Sequence, residues 1–173
     1  MKCLVKIARR AMHVKSNQAR QRKVYIMNQI CEKAQKCIKT HTRQAIAVSF
    51  IPLVSVPIVY MVCAKMITKL DKIFGIPTAK GWDSEIVGDI MAGIIAAPVL
   101  AIPLLGAGAA AAYIKSVGGS YAQAVTEVVS TSTPQELNDV TFVAYRVKEE
   151  LKKIYAKQRE NRLERINNRK IKI

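Results

Sequence analysis

The chain has 173 residues, and its 28 lysines and arginines against 12 acidic residues give a formal net charge of +16. Half of the residues are hydrophobic, but only 6% are aromatic. This length allows one domain with a substantial core, and an aliphatic, alanine-rich composition favours closely packed helices over a β-sandwich. The composition therefore predicts an all-α fold, a helical bundle.

The positive charge is concentrated at the two ends of the chain. Residues 1–43 carry twelve lysines and arginines against one acidic residue, and the part from Lys115 onward carries twelve against seven. Residues 65–89 carry four of each sign. If the apolar stretches between these parts enter a bilayer, this distribution predicts a membrane protein with both termini in the cytoplasm.

Several function classes lack their sequence signals. The chain has no phosphate-binding G-x-x-x-x-G-K-[ST] loop, and Gly106-x-Gly108-x-x-Ala111 follows no strand of the kind that a dinucleotide site needs. His13 and His41 have no metal-ligand spacing, and the basic residues are not interleaved with aromatic residues as in nucleic-acid-binding motifs. We therefore expect no catalytic residues, cofactor, metal or nucleic-acid partner.

The cysteines indicate a reducing compartment. Cys3, Cys31, Cys37 and Cys63 show no C-x-x-C spacing. Residues 1–12 contain no continuous apolar run of the length that a signal peptide requires. The sequence predicts that these cysteines act as small hydrophobic core residues.

The first predicted domain is a basic amphipathic arm over residues 1–43. Its apolar residues recur at helical spacing and predict a helix over 17–43. The stripe consists of Val24, Met27, Cys31, Ala34, Ile38 and Ala45. Two interpretations stay open for the opposite face: a solvated face of a bundle, or a face lying on anionic lipid. In the second, the lipid-facing residues are Arg20, Lys23, Lys36 and Lys39.

The second predicted domain, residues 44–129, holds two uncharged stretches, Gln44–Ala64 and Ile90–Ile114. Each contains two prolines separated by four largely apolar residues, and a proline ends or kinks a helix. We expect two proline-broken apolar helical hairpins, which either dip into one leaflet or span the membrane with kinks. The residues that decide this topology are Pro52, Pro57, Pro98 and Pro103.

Small residues follow the second proline pair. Gly106, Gly108 and Ala112 form a small-xxx-small pattern that allows another helix to approach closely, in a membrane or in a soluble bundle. Gly118-Gly119 is expected to break the helix.

The third predicted domain, residues 130–173, is a capped helix with a basic tail. Thr133-Pro134-Gln135-Glu136 predicts a capping box at its start. A heptad-like stripe follows, and the last ten or so residues are expected to fray. The stripe is made of Leu137, Val140, Ala144, Val147, Leu151 and Ile154.

Residues 45–129 resemble the YcjF-type helical domain of unknown function, which also occurs C-terminal to bacterial Era-like GTPases. The resemblance rests on Ala45–Pro57, on Met66-Ile-x-Lys-Leu-x-x-Ile-Phe74-Gly75, and on Pro103-Leu-Leu-Gly106-Ala-Gly108 with the Gly118-Gly119-Ser-Tyr-Ala-Gln-Ala segment. It implies an all-helical, membrane-associated domain that is often coupled to a GTPase, and it carries over no catalytic residue. Because this chain has no GTPase motif, any GTPase would act in trans.

These observations predict a non-enzymatic membrane-associated helical protein, a scaffold or partner for a GTPase acting in trans. Two alternatives stay open. One is a soluble helical interaction domain whose hairpins form its own core or bind a partner. The other is a cationic pore-forming toxin or bacteriocin, because cationic helices around an apolar hairpin can insert into membranes.

Overall fold

The structure is a computed structural model that describes residues 2–48, 55–77, 81–82, 85–86, 88 and 102–170. These residues form helices and no strands, so the predicted all-α fold is confirmed. The helices are α1 (Lys2–Val48), α2 (Ser55–Phe74), α3 (Ile102–Thr131), α4 (Pro134–Asn138) and α5 (Val140–Lys170). Trp82, Glu85, Ile86 and Gly88 are also helical.

The chain divides into two compact units, residues 1–33 and Ala34–Ile173. The first unit is helical, and α1 begins well before the predicted start at residue 17. Its side chains at Tyr25 and Ile26 are 64% and 56% exposed. The second unit begins at Ala34, and Ala34, His41 and Thr42 are buried in it.

The core of the second unit is built around α3, which packs against α2 on one side and α5 on the other. Helix α4 packs against α5. Aliphatic side chains at three- and four-residue spacing supply most of the buried surface, as the amphipathic patterns predict. The core includes Ile67, Leu70, Ile114, Val117, Val125, Val128, Val143 and Val147.

Helix α3 runs without interruption through Gly118 and Gly119, so the predicted break at these residues is wrong. Gly118 is needed for packing. A Cβ atom placed there would lie 2.9 Å from both Ile38 Cγ1 and Met66 Sδ. The absence of a side chain thus lets α3 lie close to α1 and α2. The stabilisation from this packing outweighs the destabilisation that glycine causes inside a helix.

Helix α2 ends at Phe74, and Gly75 follows it. This glycine has φ +68°, and the Ile76 N–H donates to the Asp71 carbonyl oxygen at 3.1 Å. A left-handed glycine with this six-to-one hydrogen bond is a Schellman end, which stops the helix and satisfies a free carbonyl.

The predicted capping box at Thr133 is present. Glu136 N–H donates to Thr133 Oγ1 at 3.3 Å, and Thr133 N–H donates to Glu136 Oε2 at 2.7 Å. The capped helix ends after five residues, however, and α5 begins at Val140, directly after Asp139, whose Oδ1 accepts from Thr141 N–H and Phe142 N–H. The predicted single C-terminal helix is therefore two helices, and α5 stays helical to Lys170.

The proline-broken stretches are described only in part. α1 ends at Val48 and α2 begins at Ser55, with Pro57 as its third residue. Pro103 is the second residue of α3, while Pro52 and Pro98 lie outside the described residues. Of the helices in the described part of the chain, none combines the length and apolar composition that crossing a bilayer requires.

Candidate functional site

An open groove lies between α1 and α2 in the second unit, with a volume of about 410 Å³. It is built from one side of each helix, where residues three and four apart are neighbours. Seven residues line it: Lys36, Cys37, Thr40 and His41 from α1, and Lys69, Lys72 and Ile73 from α2. We call this feature the lysine groove.

The lysine groove carries an excess of positive charge. Lys36, Lys69 and Lys72 are exposed, and within the described residues no carboxylate lies within ion-pair distance of them. On α5, by contrast, Lys148, Lys152 and Lys153 each contact a glutamate at 2.5–2.9 Å. The groove lysines therefore keep their charge available for an anion.

His41 is the buried polar side chain of the groove, with 2% of its surface exposed. Its Nδ1 donates to the Cys37 carbonyl oxygen at 2.8 Å, which leaves Nε2 as the acceptor nitrogen of a neutral ring. Burial lowers the pKa of His41, the hydrogen bond to the Cys37 carbonyl opposes this shift, and the positive charge of Lys69 lowers the pKa further. The neutral imidazole is thus favoured in a groove that three lysines also line.

The Cys37 thiol lies 3.6 Å from His41 Nδ1. Burial raises its pKa, and Lys69 offsets this only in part. The thiolate is therefore disfavoured at neutral pH, so this Cys–His pair lacks the lowered thiol pKa of a nucleophilic cysteine.

A second polar cluster lies in the core and ties three elements together. Tyr121 on α3 is fully buried, and its hydroxyl donates to Asp71 Oδ1 on α2 at 2.5 Å. The same hydroxyl accepts from Trp82 Nε1 at 3.2 Å. Asp71 is 2% exposed, so this tyrosine supplies a hydrogen bond that a buried carboxylate requires.

Helix α5 joins this cluster through Lys148. Its ammonium nitrogen lies 5.8 Å from the centre of the Trp82 ring and 2.5 Å from Glu85 Oε1. A cation over an indole face and an ion pair both hold the segment after α2 against α5. The role of this cluster is therefore structural.

Cys63 shows no sign of reactivity. It is fully buried on α2, and burial raises the pKa of its thiol to about 12, although a hydrogen bond with Tyr113 opposes the shift. The described part of the chain also holds no group of three His, Cys, Asp or Glu side chains arranged for a metal ion.

The predicted lipid-facing residues divide into two sets. Lys36 and Lys39 are exposed on α1, and Lys36 belongs to the lysine groove. Arg20 and Lys23 lie on the helical first unit, but their side chains are outside what the structure describes.

The predicted helix-packing residues lie near the start of α3, and the structure describes the surroundings of only two of them. Gly108 and Ala112 are exposed, and a Cβ atom at Gly108 would meet no described atom within 4 Å. Gly106 is helical, but its surroundings are not described. Among the described glycines, Gly118 makes a close helix contact, and the close approach of another helix to Gly106, Gly108 and Ala112 stays a prediction.

Sequence reasoning missed Lys69, Lys72 and His41 as parts of one site. The exposed positions Lys65, Lys69 and Lys72 lie at four- and three-residue spacing, which was a detectable signal of one charged face on α2. The pairing of this face with Lys36 is tertiary and has no local signature.

Comparisons of the chain with protein-family models, with curated proteins and with solved structures found no match.

Proposed function

We propose that this chain is a non-enzymatic, membrane-associated helical protein that binds anionic lipid at the membrane surface. The supporting observation is a basic face of exposed lysines on two neighbouring helices. Three of them, Lys36, Lys69 and Lys72, line the lysine groove. Lys39 follows Lys36 by one turn on α1, and Lys65 precedes Lys69 by one turn on α2. We call these five residues the basic face.

The energetics favour reversible binding. Each lysine near an anionic membrane surface contributes about 1 kcal/mol, so a face of several cations contributes a few kcal/mol. Because exposed charges are screened over about 8 Å at physiological ionic strength, this binding should weaken as salt rises.

A finer proposal concerns the proline-broken stretches. In it, the two apolar hairpins enter the bilayer as shallow elements, with both termini in the cytoplasm. Pro57 and Pro103 lie in the first turn of α2 and of α3, a position where a proline is accepted at the start of a helix, and this supports helices that begin at the prolines. The charge distribution along the chain supports the orientation of the termini.

We further propose that the membrane-bound protein is a scaffold or partner for a GTPase in trans. This part rests on the resemblance of residues 45–129 to the YcjF-type domain. It predicts that a GTPase recovered with the protein changes its rate of GTP hydrolysis when the purified protein is added. An unchanged rate would contradict a regulatory partnership.

Vesicle flotation tests the lipid proposal. The protein should float with vesicles that contain anionic lipid, remain unbound with neutral phosphatidylcholine vesicles, and be released by high salt. Failure to float with anionic vesicles would favour the soluble interaction domain, and leakage of an enclosed dye would favour the pore former. Extraction of the protein by alkaline carbonate would contradict insertion of the hairpins.

A further inference from the structure

We infer that the lysine groove binds a phosphate monoester group. The inference deepens the proposed association with anionic lipid, which it specifies as recognition of a particular headgroup chemistry. A lipid such as phosphatidic acid and a soluble phosphorylated compound present the same dianionic group, and both are possible sources of it.

The number and position of the cations in the groove favour a phosphate ligand. Three lysines from two helices line one groove, with no described carboxylate at ion-pair distance. A phosphate monoester offers nearly two negative charges and three strong acceptor oxygens in a small volume. Lysine ammonium groups act as point charges with three donors each, which suits them to this ligand.

A buried histidine that lines the same groove also favours a phosphate ligand. His41 is held by the Cys37 carbonyl through Nδ1, so its Nε2 can act as an acceptor when the ring is neutral or as a second donor when the ring is protonated. Burial lowers the pKa of this ring, the hydrogen bond to the Cys37 carbonyl opposes the shift, and Lys69 lowers the pKa further. A dianion near the ring would favour its protonated form and thus raise the pKa.

A polynucleotide fits the groove poorly. Among the described lining residues there is no Phe, Tyr or Trp, and the His41 ring is 2% exposed, so stacking of nucleobases has no open platform there. The remaining lining atoms, from Cys37, Thr40 and Ile73, suit a compact group with a short apolar attachment.

Nuclear magnetic resonance of the histidines provides the test, because the chain has only two, His13 and His41. Inorganic phosphate added to the full-length protein should shift the His41 Cε1–H resonance saturably and raise the His41 pKa. The resonance of His13 should change only as it does with sodium chloride at equal ionic strength. Absence of a saturable shift at His41 would overturn the inference.

Two variants make this test specific. Lys69→Gln should weaken phosphate binding about fivefold, since it removes one of three cations. Lys153→Gln removes the same charge on α5, where Lys153 is paired with Glu150, and should leave phosphate binding unchanged. Equal effects of the two variants would also overturn the inference, because they would indicate a general charge effect.

Vesicles identify the source of the phosphate group. Phosphatidic acid and phosphatidylserine are compared in phosphatidylcholine vesicles of equal surface charge. A saturable shift of the His41 resonance together with tighter binding to phosphatidic acid vesicles supports a lipid headgroup as the ligand. A saturable His41 shift with inorganic phosphate but no binding to either vesicle supports a soluble ligand. That second result would also contradict the proposed membrane association. Equal binding to both lipids without a His41 shift overturns the inference and leaves the membrane association standing.

Discussion

The hydroxyl of Tyr121 connects two buried groups from different elements, the Asp71 carboxylate and the Trp82 indole. Removal of this hydroxyl by Tyr121→Phe takes a donor from a buried carboxylate and an acceptor from a buried indole. The substitution should lower the free energy of unfolding by about 1–3 kcal/mol, measured by urea denaturation followed by circular dichroism.

Tyr145→Phe is the matched control for Tyr121→Phe. Tyr145 lies on α5 and is 63% exposed, so its hydroxyl can be replaced by water contacts. Its loss should change the stability by less than about 0.5 kcal/mol. Similar effects of the two substitutions would contradict a structural role for the buried cluster.

His41 makes stability depend on pH. Its burial lowers its pKa in the folded protein below the ordinary value of 6.5, so the unfolded chain takes up a proton at a higher pH than the folded chain does. Stability should therefore fall as pH decreases below about 6.5, until the folded pKa is reached. Unfolding curves from pH 7.5 to pH 5 measure this slope.

His41→Gln should reduce that slope, because it removes the titrating imidazole. The slope is the deciding quantity, because His41→Gln also changes packing and shifts stability by a similar amount at every pH. A slope that persists in His41→Gln would mean that other groups cause the acid sensitivity.

At the scale of the helices, neighbouring glycines on α3 have opposite roles. A Cβ atom at Gly118 would lie 2.9 Å from Ile38 Cγ1 and Met66 Sδ, while at Gly119 it would meet no described atom within 4 Å. Gly118→Ala should therefore destabilise the protein by about 1–3 kcal/mol through overpacking. Gly119→Ala should stabilise it by about 0.5–1 kcal/mol through higher helix propensity.

The opposite signs of these two stability changes show whether packing or helix propensity determines the effect of a glycine on α3. Both substitutions add one methyl group to the same helix, so each is the control for the other in thermal or urea unfolding. Stabilisation by both alanines would contradict a close approach of α3 to Ile38 and Met66.

Local signals predicted the ends of elements better than their continuity. The Thr133–Glu136 capping box and the stop at Gly75 depend on side chains and backbone angles within a few residues, and both are present. The low helix propensity of the Gly118-Gly119 pair predicts a break, which the structure does not show. Gly118 allows α3 to contact α1 and α2 closely. Such a contact between distant helices cannot be predicted from the local sequence.

At the scale of the whole molecule, the all-α class followed from composition, but the site did not. Lys36 was identified from the amphipathic pattern of its own helix. Lys69 belongs to a segment that carries four charges of each sign, so the sequence indicates no excess of positive charge there. Folding buries Asp71 with Tyr121 and leaves Lys69 and Lys72 at the surface, and this separation of charges creates the basic face.

The most direct test of the proposed membrane association compares two double variants in binding to anionic vesicles. Lys69→Gln/Lys72→Gln and Lys152→Gln/Lys153→Gln each remove two positive charges, the first from the lysine groove and the second from paired sites on α5. At about 1 kcal/mol per cation, the groove variant should lower the partition coefficient about 30-fold, and the α5 variant should lower it only slightly. Equal losses, or no loss in the groove variant, would contradict binding through the basic face.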